Sequence, residues 1–167
     1  MGRIIEVKRL EMLLDVAEMC PQFQFNVVGT PNKEDEYYRA VTQRAKSIEN
    51  VNLLGKVPES ALPDIFASAD VFCSTSVLEG FPTTFLEAWS YGVPVVTTFD
   101  PDGIVDRERL GIVVTNSEEL ANEISSILGS ESLRKEISTR AKEYFDNNYS
   151  VQAVVPRFAS VLNSNYG

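Results

Sequence analysis

The stretch VFCSTSVLEGFPTTFLEAWSYGVPVVTT, residues 71–98, decides the fold. It opens on an apolar run of strand length, Val71 to Ser74, passes through a loop containing Gly80, and enters a helix from about Pro82 to Tyr91. Pro82 suits a first helical turn, where its missing N–H would have had no intrahelical acceptor. A second apolar run, Pro94 to Thr98, reads as the next strand. Strand, helix and strand in this order, with strands apolar throughout rather than alternating, predict parallel pairing with both faces of the sheet covered.

The same alternation extends outward. Upstream, Leu10, Leu13, Leu14 and Ala17 recur at helical spacing over about 8–19, ahead of Pro21. Phe23 to Gly29 reads as a buried strand. A polar turn at Pro31-Asn32 leads into a charged helix over 34–48, with Tyr38, Val41 and Ala45 on one face. Val51 to Leu54 reads as a strand and Ser60 to Ser68 as a short helix. Downstream, Asp100 to Gly103 is most simply a type I or II turn, and Gly111 to Val114 a strand. Helices alone follow. Asn116 or Ser117 caps one carrying Leu120, Ile124 and Ile127; a second carries Leu133, Ile137, Ala141 and Phe145. Ser150 caps a last one through Val154, Phe158 and Val161, with Pro156 restricting where its regular part begins. The expectation is one α/β domain over 1–167, a doubly wound parallel sheet with extra C-terminal helices.

Composition removes several chemistries. The 167 residues suffice for one domain, not two of ordinary size. No run reaches the roughly 18 apolar residues of a membrane span, and MGRIIEVKRLEMLL has no signal-peptide pattern, so a soluble, cytoplasmic protein is expected. Without a histidine, Ser-His-Asp and Cys-His nucleophile systems and His-ligated zinc are excluded. Cys20 and Cys73 are far apart in sequence and read as buried thiols. A net charge of −9 opposes general binding to nucleic acid or an anionic membrane. An anionic small ligand therefore needs a local positive site, and Arg3, Lys8 and Arg9 form the one tight basic cluster.

Ligands of open parallel sheets bind where strand ends lead into helix N-termini. In residues 74–84 such a loop enters the helix at Pro82, leaving the N–H groups of Thr83 and Thr84 at the positive end of the helix dipole, a place for phosphate. Glu87 projects from the same face one turn on, and Glu79 precedes the helix beside Gly80. Both carboxylates would repel phosphate and are better suited to accept hydrogen bonds from hydroxyls. An anionic centre flanked by hydroxyls describes a nucleotide sugar. Plainer readings stand beside these. Arg3, Lys8 and Arg9 also read as a solvated helix start, and Glu87 as a residue with a structural hydrogen bond. Glu79 also reads as an ordinary loop residue, Ser74 to Ser76 as the end of a strand, and Phe85 and Trp89 as core.

Glu79-Gly-Phe-Pro-Thr-Thr-Phe-Leu-Glu87, with Tyr91-Gly-Val-Pro-Val-Val96 after it, resembles the E-x7-E signature of retaining glycosyltransferases of the group 1 type, which have the GT-B fold. Gly2-Arg3 through Lys8 resembles their G-R-x-x-x-x-K segment, and Asn52 to Val57 the strand before the base-binding loop. The ordered blocks cover nearly the whole chain. The resemblance implies a Rossmann-like, donor-binding half of such an enzyme. Arg3 and Lys8 would hold the donor diphosphate and Glu79 would face the sugar. Glu87 would take the ribose hydroxyls and the Thr83 and Thr84 amides the phosphate, while Gly2 and the Gly80 and Phe81 backbone would line the donor. Two cations in that role imply no metal or other cofactor, the donor being a UDP-, GDP- or ADP-linked sugar. In the full enzyme a hexose would pass with retention to a sugar, lipid or polysaccharide.

The chain departs from the family pattern in two ways. Many members have glycine where this chain has Pro82, which cannot donate a backbone hydrogen bond. The family also places a β-strand before the Gly-Arg segment and an acceptor-binding domain before that. The expectation is therefore a C-terminal part of a two-domain enzyme with its first central strand missing, binding donor weakly and transferring nothing alone. Other readings are a catalytically inactive binding or interaction module, a nucleotide-sugar epimerase relative, and a homo-oligomer whose pairing replaces the strand.

Overall fold

The computed structural model describes residues 1–31 and 33–164; Asn32, half of the expected Pro31-Asn32 turn, lies outside them. Among the described residues are five short strands, all paired in parallel. They form two groups, β1 (Phe25–Val28) with β2 (Val51–Gly55), and β3 (Phe72–Ser74), β4 (Val95–Thr97) and β5 (Gly111–Val113) in that order. Phe25 pairs with Val51, Phe72 with Val95, and Val95 with Gly111. Residues 1–7 form no strand; instead Gly2 and Ile4 donate to the Val28 and Thr30 carbonyls at the end of β1. A cavity of about 800 Å3 separates β1 from β3.

Helices α1 (Leu10–Met19), α2 (Glu36–Lys46), α3 (Leu62–Ala67), α4 (Thr83–Ser90), α5 (Ile104–Arg107), α6 (Ser117–Gly129), α7 (Glu131–Asn148) and α8 (Val151–Ser164) surround the strands. The core divides about β4. Val96 belongs to the core cluster that includes α1, α2 and α6 side chains, whereas its neighbour Val95 belongs to the cluster of Phe66, Phe85, Trp89, Val105 and Leu110. Successive residues of a strand point to opposite faces, so both faces are covered, as the apolar strands require. The fold is α/β with parallel sheets and helices on both sides.

Local chemistry sets the helix starts. Asp35 accepts from the Tyr38 amide at the start of α2. At α6 Asn116 accepts from the Glu119 amide while the Glu119 carboxylate accepts from the Thr115 amide. Ser150 accepts from the Ala153 amide and opens α8, as its sequence position predicts. Pro156 does not delay the helix, which runs through it from Val151; as its sixth residue the proline forgoes one amide bond, to the Gln152 carbonyl.

The Asp100–Gly103 turn differs from expectation. It is a short 3-10 turn with Asp102 and Gly103 left-handed, followed by α5, which sequence periodicity misses because it has only four residues. Among the described residues no helix is long and apolar enough to cross a membrane.

Candidate functional site

The site forms where the C-terminal ends of β1 and β3 meet the start of α4. Gly2 approaches Gly29 so closely that a Cβ on Gly29 would stand 1.7 Å from the Gly2 carbonyl oxygen, and Gly29 has φ +154, a conformation that side chains disfavour. That approach brings Arg3 to the cavity mouth. A single 3-10 turn, Glu6–Lys8, then carries Lys8 across to the loop after β3, where the Lys8 ammonium pairs with the Glu79 carboxylate at Oε1. The Ser76 hydroxyl donates to the same oxygen at 2.7 Å, leaving Oε2 without a partner among the described residues.

A polar network behind this pair holds the two loops together. The Arg9 Nε donates to the Thr75 carbonyl and its Nη2 to the Thr98 hydroxyl, both at 2.7 Å. The Thr75 hydroxyl donates to the Lys8 carbonyl at 2.6 Å, and the Val77 amide donates to the Val7 carbonyl at 2.9 Å. Thr75 and Ser76 are buried, which such bonding permits. In the sequence the Ser74 to Ser76 run reads as the end of a strand. Its signal was there, three consecutive hydroxyls closing an apolar strand beside the loop of interest.

Thr83 and Thr84 open α4 after Pro82, with no side-chain cap, and their amides have no acceptor in the protein among the described residues. Both line the cavity with Gly2, Arg3, Lys8, Glu79 and Phe81. Phe81 is also held from behind by Trp89 and Tyr149, at 6.4 and 5.9 Å between ring centroids. Gly80 and Glu87, both read from sequence as ligand-facing, are not among the lining residues. Gly80 is exposed, and Glu87 is half-buried one turn into α4 with no hydrogen-bond partner for its carboxylate among the described residues. Asp100 is committed elsewhere, its carboxylate accepting from the Val105 and Asp106 amides at the start of α5.

The two glutamates are tuned in opposite directions. Burial raises the Glu79 carboxyl, but the Lys8 ammonium, the Ser76 hydroxyl and Arg3 together outweigh it and hold Glu79 below the ordinary carboxylate value. Burial raises Glu87, and the charge of the Met1 amino group offsets this only in part. For an acid whose folded pKa is raised, the ionised form costs stability; that cost grows as pH rises through the carboxylate range and is complete above the raised value. Glu87→Gln is therefore expected to raise the melting temperature by about 1–2 °C at pH 7, with the gain vanishing below about pH 4. Differential scanning calorimetry at both pH values checks this, and a lower melting temperature at pH 7 would contradict it.

Chemically, the arrangement offers two cations, a pair of unpartnered helix-terminal amides and an anionic oxygen free to accept from a hydroxyl, all around one cavity. Among the described residues no group of three or more His, Cys, Asp or Glu side chains is placed to hold a metal ion.

Residues 1–144 match the family model described as "Glycosyl transferases group 1". The chain is 24% identical over 175 residues to the poly(ribitol-phosphate) alpha-N-acetylglucosaminyltransferase of Staphylococcus aureus, the match covering 98% of this chain and 34% of that protein. It is 25% identical over 175 residues to the lipopolysaccharide core biosynthesis glycosyltransferase LpsE of Rhizobium meliloti, covering 98% and 48%. In structure it is similar to Anabaena HepE, solved in complex with UDP, with a TM-score of 0.85 at 24% identity, covering 98% of this chain and 48% of that one. The chain thus spans between a third and a half of the length of these relatives.

Proposed function

The chain belongs to the group 1 glycosyltransferases, and from that premise we propose that it carries the donor half of the reaction, binding a nucleoside-diphosphate sugar in the cavity mouth between β1, β3 and α4. The observation that carries this reading is the convergence of Arg3, Lys8 and the Thr83 and Thr84 amides on one cavity beside Glu79. Phosphate groups are recognised by cations and helix-terminal amides together. Lys8 has three N–H donors, so it can keep Glu79 and still reach a phosphate oxygen. In this reading transfer proceeds with retention, negative charge grows on the leaving diphosphate, and Arg3 and Lys8 would offset it with no metal required. Glu79 Oε2 accepts from a hydroxyl of the sugar, while Glu87 serves the ribose only if the ligand reaches past Thr83. Acceptor recognition falls to the part of the relatives' length that this chain does not span.

Two observations favour a uridine nucleotide as the first ligand to test: HepE is solved with UDP and also with UDP-glucose, at TM-scores of 0.85 and 0.82. Isothermal titration with UDP, GDP and ADP and their glucose conjugates is expected to give saturable binding strongest for one base. Saturation by none of them would overturn the reading and leave an interaction module on the same scaffold.

A further inference from the structure

We propose that Arg9 is a positioning residue of this site, and that the fork of its guanidinium fixes the offset between Lys8 and Glu79. The proposal rests on the donor-site reading for its consequence in binding, but not for its geometry.

Arg9 joins the 3-10 turn of Lys8 to α1 as a single left-handed residue, φ 47 and ψ 54. Side chains with a Cβ pay for this conformation and glycine does not, so the backbone alone gives no reason for arginine here. The side chain does. Its two hydrogen bonds reach two different segments, the Thr75 carbonyl after β3 and the Thr98 hydroxyl after β4. Thr98 in turn donates to the Ser76 carbonyl at 3.0 Å, and its amide donates to the Ser74 carbonyl at 3.0 Å. Arg9 therefore holds the backbone directly at Thr75 and, through Thr98, at Ser76, the residue whose hydroxyl holds Glu79. The Thr75 hydroxyl completes the loop by returning a bond to the Lys8 carbonyl.

Arg9 does not itself line the cavity, whereas Lys8, Thr75, Ser76 and Glu79 do. Among the described residues no carboxylate pairs with it. It acts through others, by setting where the Lys8 and Glu79 side chains start. A lysine has the charge but not the planar fork with fixed donors, and cannot span both acceptors in the same geometry.

The test separates geometry from ligand binding. Glu79 is faced by Lys8, Ser76, Arg3 and the Met1 amino group, and its carboxyl titration, followed by carbon-detected NMR without nucleotide, reports how well Lys8 meets it. In Arg9→Gly and in Arg9→Lys, the Glu79 midpoint is expected to rise toward the ordinary carboxylate value, while Glu119, held low by the Thr115 amide and hydroxyl and by Asn116, none of them bonded to Arg9, stays put as an internal control. UDP affinity is expected to fall about tenfold in both variants. Thr98→Val, which deletes one acceptor and no charge, should move both readouts the same way by less and keeps the question open to test if Arg9→Gly does not fold. An unchanged Glu79 midpoint in the glycine variant, or wild-type behaviour of Arg9→Lys in both readouts, would overturn the proposal. If the wild-type chain binds no nucleotide, the donor reading fails while the Glu79 titration still decides the role of Arg9.

Discussion

Lys8→Ala is expected to weaken nucleotide binding by about 30- to 100-fold, the size of one or two charge-assisted hydrogen bonds lost at once. The effect exceeds that of removing an ordinary surface lysine because Lys8 stands between two anions. Without it, Glu79 keeps the Ser76 hydroxyl and the weaker fields of Arg3 and the Met1 amino group, and an arriving phosphate meets a carboxylate that no ammonium bridges. Glu79 then also loses most of what holds its pKa down. A carboxyl with a lowered folded pKa contributes stability above its unfolded value, and that contribution is lost as pH falls through the lowered value. In Lys8→Ala the acid side of the stability profile should therefore flatten. Titration calorimetry and urea unfolding between pH 3 and 7 check both parts. Affinity within threefold of wild type would remove Lys8 from the site.

Gly111→Ala should cost about 3 kcal/mol or more of folding stability, enough to unfold a marginal domain. Gly111 opens β5 opposite Val95, and a Cβ there would lie 1.8 Å from the Val95 carbonyl oxygen and 2.7 Å from its carbon. Val95 is fully buried in β4, the middle strand of its group, with Val93, Val105 and Leu110 in the same cluster. Neither strand can withdraw without breaking the ladder or the core, and close-packed interiors tolerate added atoms poorly. A loss under about 1 kcal/mol by urea denaturation would show that β5 can move aside after all.

The sequence carried the α/β class because that class depends on local pattern. Apolar runs of strand length between helices of 3.6-residue period can be satisfied by few architectures, and parallel, two-sided burial is the one that leaves no apolar strand face wet. The helix starts at Asn116 and Ser150 were legible for the same reason, since a cap acts over three or four residues. The same locality explains the misses. Helix α5 is a single turn, too short to show a repeating apolar pattern, and Asp100, whose carboxylate accepts from the Val105 and Asp106 amides, read as part of a turn. Glu87 is not among the cavity-lining residues, because which side of α4 faces the cavity depends on how α4 packs on β4 and α7, which no local spacing states.

From its sequence alone this chain was determined to be a layered parallel α/β domain with a basic N-terminal segment and a carboxylate-bearing loop before a helix start. Only the tertiary structure decided that Lys8 and Glu79, 71 residues apart, pair with each other. It also decided that Arg9 is spent on the Thr75 and Thr98 segments, and that two strand groups leave a cavity between β1 and β3. The physical reason is range. Hydrophobic period and capping act between neighbours in the chain, whereas an ion pair or a forked hydrogen bond forms only after packing has brought distant loops within about 3 Å.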